Sequence, residues 1–120
     1  MDAIYQSAGT TASTPRIDRR DALRKTCRVR AFLDIGGQLQ LVGKTLDLSH
    51  NGISLLLPQA LQQGCVGNLR FSIYVNGNLE LIRARVEVSN CVFLSMDVRV
   101  GFRFVELDPS SKRTLGVLMR

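Results

Sequence analysis

From residue 28 onward, apolar and polar residues alternate with a period of two, which is typical of strands that bury one face. The first alternation begins after Arg28, and the Gly36-Gly37 pair then predicts a tight turn into a partner strand with the same pattern. The apolar positions of the two strands are Val29, Ala31, Leu33 and Ile35, then Leu39 and Leu41. The pattern therefore predicts a β-hairpin.

A second hairpin is predicted around Asn76-Gly77, because an Asn-Gly pair favours a primed two-residue turn. Before the turn the apolar residues Leu69, Phe71, Ile73 and Val75 share one face. After the turn the two faces of the strand carry Leu79, Leu81, Arg83, Arg85 and Glu87 on one side and Glu80, Ile82, Ala84, Val86 and Val88 on the other. The second set is predicted to face the core.

The remaining segments complete a predicted all-β fold. Turn-forming residues 47–52 separate the second strand from the run Ile53–Leu57, which Pro58 ends. A last strand carries Val98, Val100, Phe102 and Phe104, and a helix follows with Asp108 as N-cap, Pro109 at its first position, and Leu115, Leu118 and Met119 on its apolar face. Short antiparallel strands with turns every 8 to 12 residues favour a small six-stranded β-barrel with the C-terminal helix across one end.

The length of 120 residues, 45% of them hydrophobic, predicts a single domain. Residues 1–15 are rich in Ser, Thr, Ala and Gly and are expected to be a disordered tail. A flexible basic arm (16–28), the barrel (28–107) and the helix (108–120) follow. Neither a membrane span nor a signal peptide is expected, which predicts a cytoplasmic location.

Positive charge is concentrated ahead of the first strand. Of the net charge of +6, residues 16–30 supply seven basic groups against two acidic ones, which predicts a local anion site. Three cysteines and one histidine favour neither a disulfide framework nor a metal site. We interpret Cys27 as a small spacer, Cys65 and Cys91 as core residues, and His50 as an exposed loop residue. Without paired catalytic groups or a Walker-type loop, no enzymatic activity is predicted.

Two motifs carry the chemistry. Arg16, Arg20, Arg24 and Arg28 recur at intervals of four, and Asp47-x-Ser49-x-x-Gly52 lies between the second and third predicted strands. With the ending Val100–Pro109, they resemble the R-x-x-x-R and [D/N]-x-S-x-x-G signatures of PilZ domains, in the family's order. The resemblance covers residues 16–120. The Asp-Ser-Gly motif is the more specific, since six arginines within 15 residues create R-x-x-x-R pairs by accident.

The resemblance implies a receptor for the bacterial second messenger cyclic di-GMP, with no other cofactor. Bound ligand would change the surface seen by an effector protein that controls motility, biofilm or exopolysaccharide production. The implied ligand-binding residues are Arg24, Arg28, Asp47, Ser49 and Gly52, with Arg19 and Arg20 as further phosphate contacts. The pair Arg20 and Arg24 remains an alternative frame for R-x-x-x-R.

The ligand explains the residue types, because cyclic di-GMP presents two phosphates and two guanines. An arginine fork binds a phosphate or a guanine edge in bidentate fashion, and its face stacks on a base. Asp47 can accept hydrogen bonds from a guanine N–H edge, and the Ser49 hydroxyl can reach a phosphate or base. Gly52 would permit either a positive φ or a close backbone approach.

Three other interpretations fit parts of the sequence. Asp47, Ser49 and Gly52 can form an ordinary capped turn, and a PilZ-like module can act through protein contacts without a ligand. A basic arm also attracts nucleic acid, although Tyr74 and Phe71 are the only candidate stacking residues near mid-chain and both fit a strand. Nucleic-acid binding is the weaker alternative.

Overall fold

A computed structural model describes residues 24–120 of the chain. The tail predicted for residues 1–15 and the part of the basic arm before Arg24 lie outside the described residues. Within them the chain forms seven strands and one helix. In chain order these are β1 (Lys25–Thr26), β2 (Arg30–Ile35), β3 (Leu39–Leu48), β4 (Gly52–Leu57), β5 (Val66–Val75), β6 (Asn78–Phe93), β7 (Val98–Leu107) and α1 (Pro109–Leu118).

Six of the strands close into an antiparallel barrel. Their order is β3-β2-β5-β6-β7-β4, and β4 pairs back with β3, so the sheet has no open end. The short β1 lies on the same edge of β3 as β2, because Thr26 pairs with Asp47 while Arg30 pairs with Lys44. The predicted six-stranded barrel with a C-terminal helix is confirmed.

The barrel interior is filled by the apolar positions that the alternation predicts. On β6 the set from Ile82 to Val88 faces inward and is buried, while Arg83 and Arg85 between them are exposed. The largest fully buried side chains of the other strands include Leu33, Leu48, Ile53, Leu55, Leu57, Leu69, Phe71 and Val100. Complete burial of each such side chain contributes about 1.5–3 kcal/mol to folding.

Both predicted hairpin turns form through backbone at positive φ. Asn76 and Gly77 have φ values of 52° and 85°, as a two-residue primed turn requires. Gly36 and Gly37 have φ values of 64° and 73°, which glycine adopts without steric cost. The turns fix the register of the strands on either side.

Helix α1 is held to the barrel at its first turn. The Asp108 carboxylate accepts a hydrogen bond from the Ser111 backbone N–H at 2.7 Å, and the Ser111 hydroxyl accepts one from the Arg83 N–H at 2.8 Å. Hydrogen bonds with Ser111 and the nearby Arg83 guanidinium lower the pKa of Asp108 below its ordinary value. The predicted N-cap therefore also connects the helix to β6.

The predicted turn segment 47–52 is shorter than expected, and this prediction was wrong in its extent. β3 continues through Asp47 to Leu48 and β4 begins at Gly52, so only residues 49–51 connect the strands. Asp47 stays in the sheet because it pairs with β1 on one edge and with Ser54 of β4 on the other. A β-bulge between Thr45 and Asp47 directs the Asp47 side chain to the outer face.

Candidate functional site

Thr45 anchors the described part of the basic arm to the barrel. Its buried hydroxyl accepts a hydrogen bond from the Val29 N–H at 2.8 Å and donates one to the Cys27 carbonyl. The Thr45 N–H donates to the Val29 carbonyl at 2.8 Å, and the Cys27 N–H donates to the Leu46 carbonyl at 3.0 Å. Arg28, between these anchored residues, has a fixed backbone and an exposed side chain.

Asp47 lies between two arginines. Its Oδ1 is 2.9 Å from Nη1 of Arg24, and its Oδ2 is 3.4 Å from Nη2 of Arg99. The Asp47 side chain is 21% exposed and the two arginine side chains are 45% and 47% exposed. Exposed ion pairs of this kind contribute only about 0.2–1 kcal/mol each. The two contacts can therefore open at little cost when another charged group arrives.

Ser49 organises the three-residue connection. Its Oγ accepts hydrogen bonds from the N–H groups of Asn51 and Gly52 at 3.3 and 3.2 Å and donates to the Gly52 carbonyl at 3.3 Å. The Ser49 N–H also donates to the Gly52 carbonyl at 2.9 Å. The hydroxyl that was predicted to reach a ligand is buried and engaged within the loop in this structure.

Gly52 is required by a close approach between β4 and β7. A Cβ at this position would come closer than 3.0 Å to the carbonyl oxygen of Phe102. The backbone there cannot move aside easily, because Asn51 accepts a 2.8 Å hydrogen bond from the Phe104 N–H and Gly52 pairs with Arg103. The sequence predicted a glycine here either for a positive φ or for a close backbone approach. Because φ of Gly52 is not positive, the close approach is the reason.

The structure thus brings the two sequence motifs together, with Arg24 in contact with Asp47 and the Ser49–Gly52 connection directly after it. The side chain of Arg28 is exposed beside β3, the strand that carries Asp47. No carboxylate within residues 24–120 lies at ion-pair distance from it. Arg19 and Arg20, the predicted additional contacts, are outside the described residues, and so is half of the alternative frame Arg20–Arg24.

Asp47 belongs to a row of small and polar residues across the outer face of the barrel. Asp47 pairs with Ser54, Ser54 with Gly101, and Gly101 with Asn90. We call these four residues the Asp47 row. The Asn90 side chain lies over Gly101, where its Oδ1 would be within 3.0 Å of any added Cβ. The row has a carboxylate at one end and an amide at the other, with the buried Ser54 and the half-buried Gly101 between them.

Two residues of the site were not predicted from the sequence. Arg99 lies at an outward position of β7 and contacts Asp47, which is 52 residues earlier in the chain. Thr45 is a polar residue at an inward position of β3, two residues beyond Gly43 and four beyond Leu41. That interruption of an apolar face was the available signal, because a buried hydroxyl needs partners.

Cys27, the cysteine nearest the two motifs, is a half-buried free thiol. Burial raises the pKa of the Cys27 thiol, and a weaker opposing effect comes from its hydrogen bond with Thr45, so the reactive thiolate is disfavoured. Residues 24–120 contain no group of three His, Cys, Asp or Glu side chains able to hold a metal ion. No helix in that part of the chain has the length and apolar character needed to cross a membrane.

Comparison with known proteins gives a family and a fold. The family model of the PilZ domain matches residues 18–120. The chain is similar to the inhibitor of motility MotI/DgrA of Bacillus subtilis, with a TM-score of 0.68 and 14% identity over 77% of this chain. It spans only 45% of that protein. No curated protein sequence matches it.

Two further solved structures are similar over most of their own length. One is the PilZ domain of YcgR from Escherichia coli with c-di-GMP, with a TM-score of 0.62 and 18% identity over 80% of this chain and 85% of that one. The other is the PilZ domain of CeSA from a cellulose-synthesizing bacterium, with a TM-score of 0.53 and 17% identity over 80% and 93% of the two chains. At such identities these likenesses show the fold.

Proposed function

The chain belongs to the PilZ domain family, whose model covers residues 18–120, and we propose that it is a receptor for cyclic di-GMP. The PilZ domain of YcgR from E. coli has the same fold, and its structure was solved with c-di-GMP. This supports c-di-GMP as the ligand of the present chain. The proposal includes no catalytic step.

The observation that supports the proposal most is the contact between the two sequence motifs. Arg24 and Asp47 are 23 residues apart in sequence and meet at 2.9 Å on the outer face of the barrel. A guanidinium, which binds phosphate or stacks on a base, therefore lies beside a carboxylate, which accepts from a guanine N–H edge. A guanine nucleotide with phosphodiester groups requires both kinds of contact within a few ångströms.

We assign the residues different tasks. Asp47 reads the N–H edge of one guanine, while Arg24 and Arg28 bind phosphate oxygens or the O6/N7 edge of a base. Ser49 and Gly52 shape the connection that holds Asp47 in place, which follows from their internal hydrogen bonds and close packing. Arg19 and Arg20 add phosphate contacts from the arm.

Ligand binding would act as a switch through the arm. Asp47 exchanges its partner Arg24 for the guanine edge, and the arm residues before Arg24 close over the bound ligand. The resulting surface is recognised by an effector protein. The chain is similar in fold to the inhibitor of motility MotI/DgrA, which supports an output in motility. Biofilm and exopolysaccharide control are the other outputs of this proposal.

Isothermal titration calorimetry tests the receptor function. Cyclic di-GMP should bind with micromolar or tighter affinity, whereas GTP and cyclic GMP should give no comparable heat. Arg28→Ala and Asp47→Ala should each abolish measurable binding. Arg85→Ala is the matched control, because Arg85 is an exposed arginine of β6 that pairs with Asn68 and Glu106 away from the Asp47 row.

The same titrations separate the alternatives. No heat with cyclic di-GMP from the folded wild-type protein would refute the receptor function and favour a module that acts through protein contacts alone. Binding of single-stranded oligonucleotides that disappears steeply with added salt would favour the nucleic-acid alternative. Within the barrel, Phe71 is buried and cannot stack on bases, which leaves the exposed Tyr74 as the one candidate from the sequence.

A further inference from the structure

Three cations form a second row on the outer face, directly beside the Asp47 row. Arg30 of β2 pairs with Lys44 of β3, Lys44 with Leu56 of β4, and Leu56 with Arg99 of β7. Paired residues of neighbouring strands point to the same face. We call Arg30, Lys44 and Arg99 the basic row.

The side chains of the basic row face solvent. Arg30, Lys44 and Arg99 are exposed, and each lies next to a buried inward residue, such as Ala31, Thr45 or Val100. Within residues 24–120, the one carboxylate at ion-pair distance from any of the three is Asp47, which contacts Arg99. Among the described residues, therefore, an acidic side chain balances the positive charge of the row only at the Arg99 end.

The two rows run side by side at a spacing suited to one nucleotide ligand. Arg99 and Gly101 are two residues apart on β7, as are Leu56 and Ser54 on β4, so the rows are separated by about 7 Å. Neighbouring strands are about 4.8 Å apart, which places Lys44 and Arg99 about 10 Å from each other across the intervening β4. An anionic ligand seated on the Asp47 row thus has its edge against the cations.

We propose that the basic row is a second anion-binding element, in which Lys44 and Arg99 receive a phosphodiester group of the ligand beside Asp47. This inference rests on the proposed receptor function and extends it to residues outside both sequence motifs. Nη2 of Arg99 lies 3.4 Å from Oδ2 of Asp47. When a guanine edge engages Asp47, Arg99 is released toward the phosphate, and Lys44 supplies further positive charge.

Calorimetry on three matched variants tests the basic row. Each variant removes one positive charge from an exposed strand position. Arg99→Gln should weaken binding of cyclic di-GMP roughly tenfold, equivalent to about 1.4 kcal/mol. Lys44→Gln should weaken it about threefold, since a flexible ammonium makes less specific contacts with phosphate. Arg85→Gln, the control, should bind like the wild type. Arg99→Lys should recover part of the affinity.

The role of Lys44 distinguishes direct anion binding from support of Asp47. If Arg99→Gln weakens binding while Lys44→Gln is indistinguishable from Arg85→Gln, the basic row is refuted, because Arg99 then acts only by positioning Asp47. Equal affinities in all variants and the wild type refute it as well. Added salt should reduce the affinity of the wild type more than that of Arg99→Gln, because screening weakens the contact that the variant lacks.

The basic row remains testable if the receptor function itself fails. A wild-type protein that does not bind cyclic di-GMP would contradict the proposed function, and inorganic pyrophosphate then serves as the probe. Larger amide chemical-shift changes at Lys44 and Arg99 than at Arg85 during a pyrophosphate titration would support the row. Changes that are absent or no larger than those at Arg85 would overturn it.

Discussion

Replacing Gly52 by alanine should destabilise the barrel, while the same replacement at Gly116 should stabilise it. At Gly52 the added Cβ would come within 3.0 Å of the Phe102 carbonyl oxygen, which is part of the β4–β7 pairing. At Gly116, within α1, nothing lies within 4 Å of the added atom. The two variants differ from the wild type by one methyl group each, so they separate crowding from a general effect of glycine loss.

The expected magnitudes follow from these surroundings. Forcing a methyl group into close-packed structure costs about 1–3 kcal/mol, and the Gly52 site should be at the upper part of this range because backbone, not a flexible side chain, must move. Alanine in place of glycine inside a helix gains about 0.5–1 kcal/mol. Each kcal/mol corresponds to a shift in Tm of roughly 4–8 °C for a domain of this size.

Urea denaturation, monitored by circular dichroism, measures the change in the free energy of unfolding for Gly52→Ala and for Gly116→Ala. Gly52→Ala should also weaken ligand binding, because the displaced strand end carries the connection next to Asp47. A Gly52→Ala protein as stable as the wild type would refute the close-approach argument. A Gly116→Ala protein that is less stable than the wild type would refute the description of the space around α1.

Variants at Thr45 and Asp108 test two other contacts. Thr45→Val keeps the shape of the side chain but leaves the Val29 N–H without its partner, and should cost about 1–3 kcal/mol in urea denaturation, whereas Val at the exposed Thr26 should cost little. Asp108→Ala should lower the Tm by a few degrees through loss of the N-cap. Since the folded pKa of Asp108 lies below its ordinary 3.8, its stabilisation is complete above that value and is lost as pH falls through the folded pKa. Asp108→Asn should therefore be less sensitive to acid than the wild type in Tm measurements from pH 6 to pH 2, and equal sensitivity would contradict the assignment.

Local patterns were sufficient to predict the barrel elements. Asn76-Gly77 determined a hairpin turn because few other residue pairs adopt positive φ at both positions. The alternation on β6 separated its buried face from its exposed face correctly. Asp108 and Pro109 marked the helix start, since the capping group and the proline act within a single turn.

The parts of the site that the sequence did not predict depend on pairing between distant strands. Aspartate is uncommon in strands, so the sequence predicts Asp47 in a turn, whereas pairing on both edges keeps it in β3. The contact between Arg99 and Asp47 requires the register of three strands, which no spacing along the chain reveals. Thr45 attaches the arm through hydrogen bonds of its hydroxyl with Val29 and Cys27, which lie in the segment between β1 and β2. Such contacts are properties of the closed barrel.

The central claim, a cyclic di-GMP site on the outer face beside Asp47, is tested most directly by titrating isotope-labelled protein with cyclic di-GMP and following the amide resonances. The predicted result is saturable shifts concentrated at residues 24–29, at residues 47–54 and around Gly101, with little change at the Gly36-Gly37 and Asn76-Gly77 turns. Absence of shifts at saturating ligand, or shifts confined to those turns, would contradict the claim.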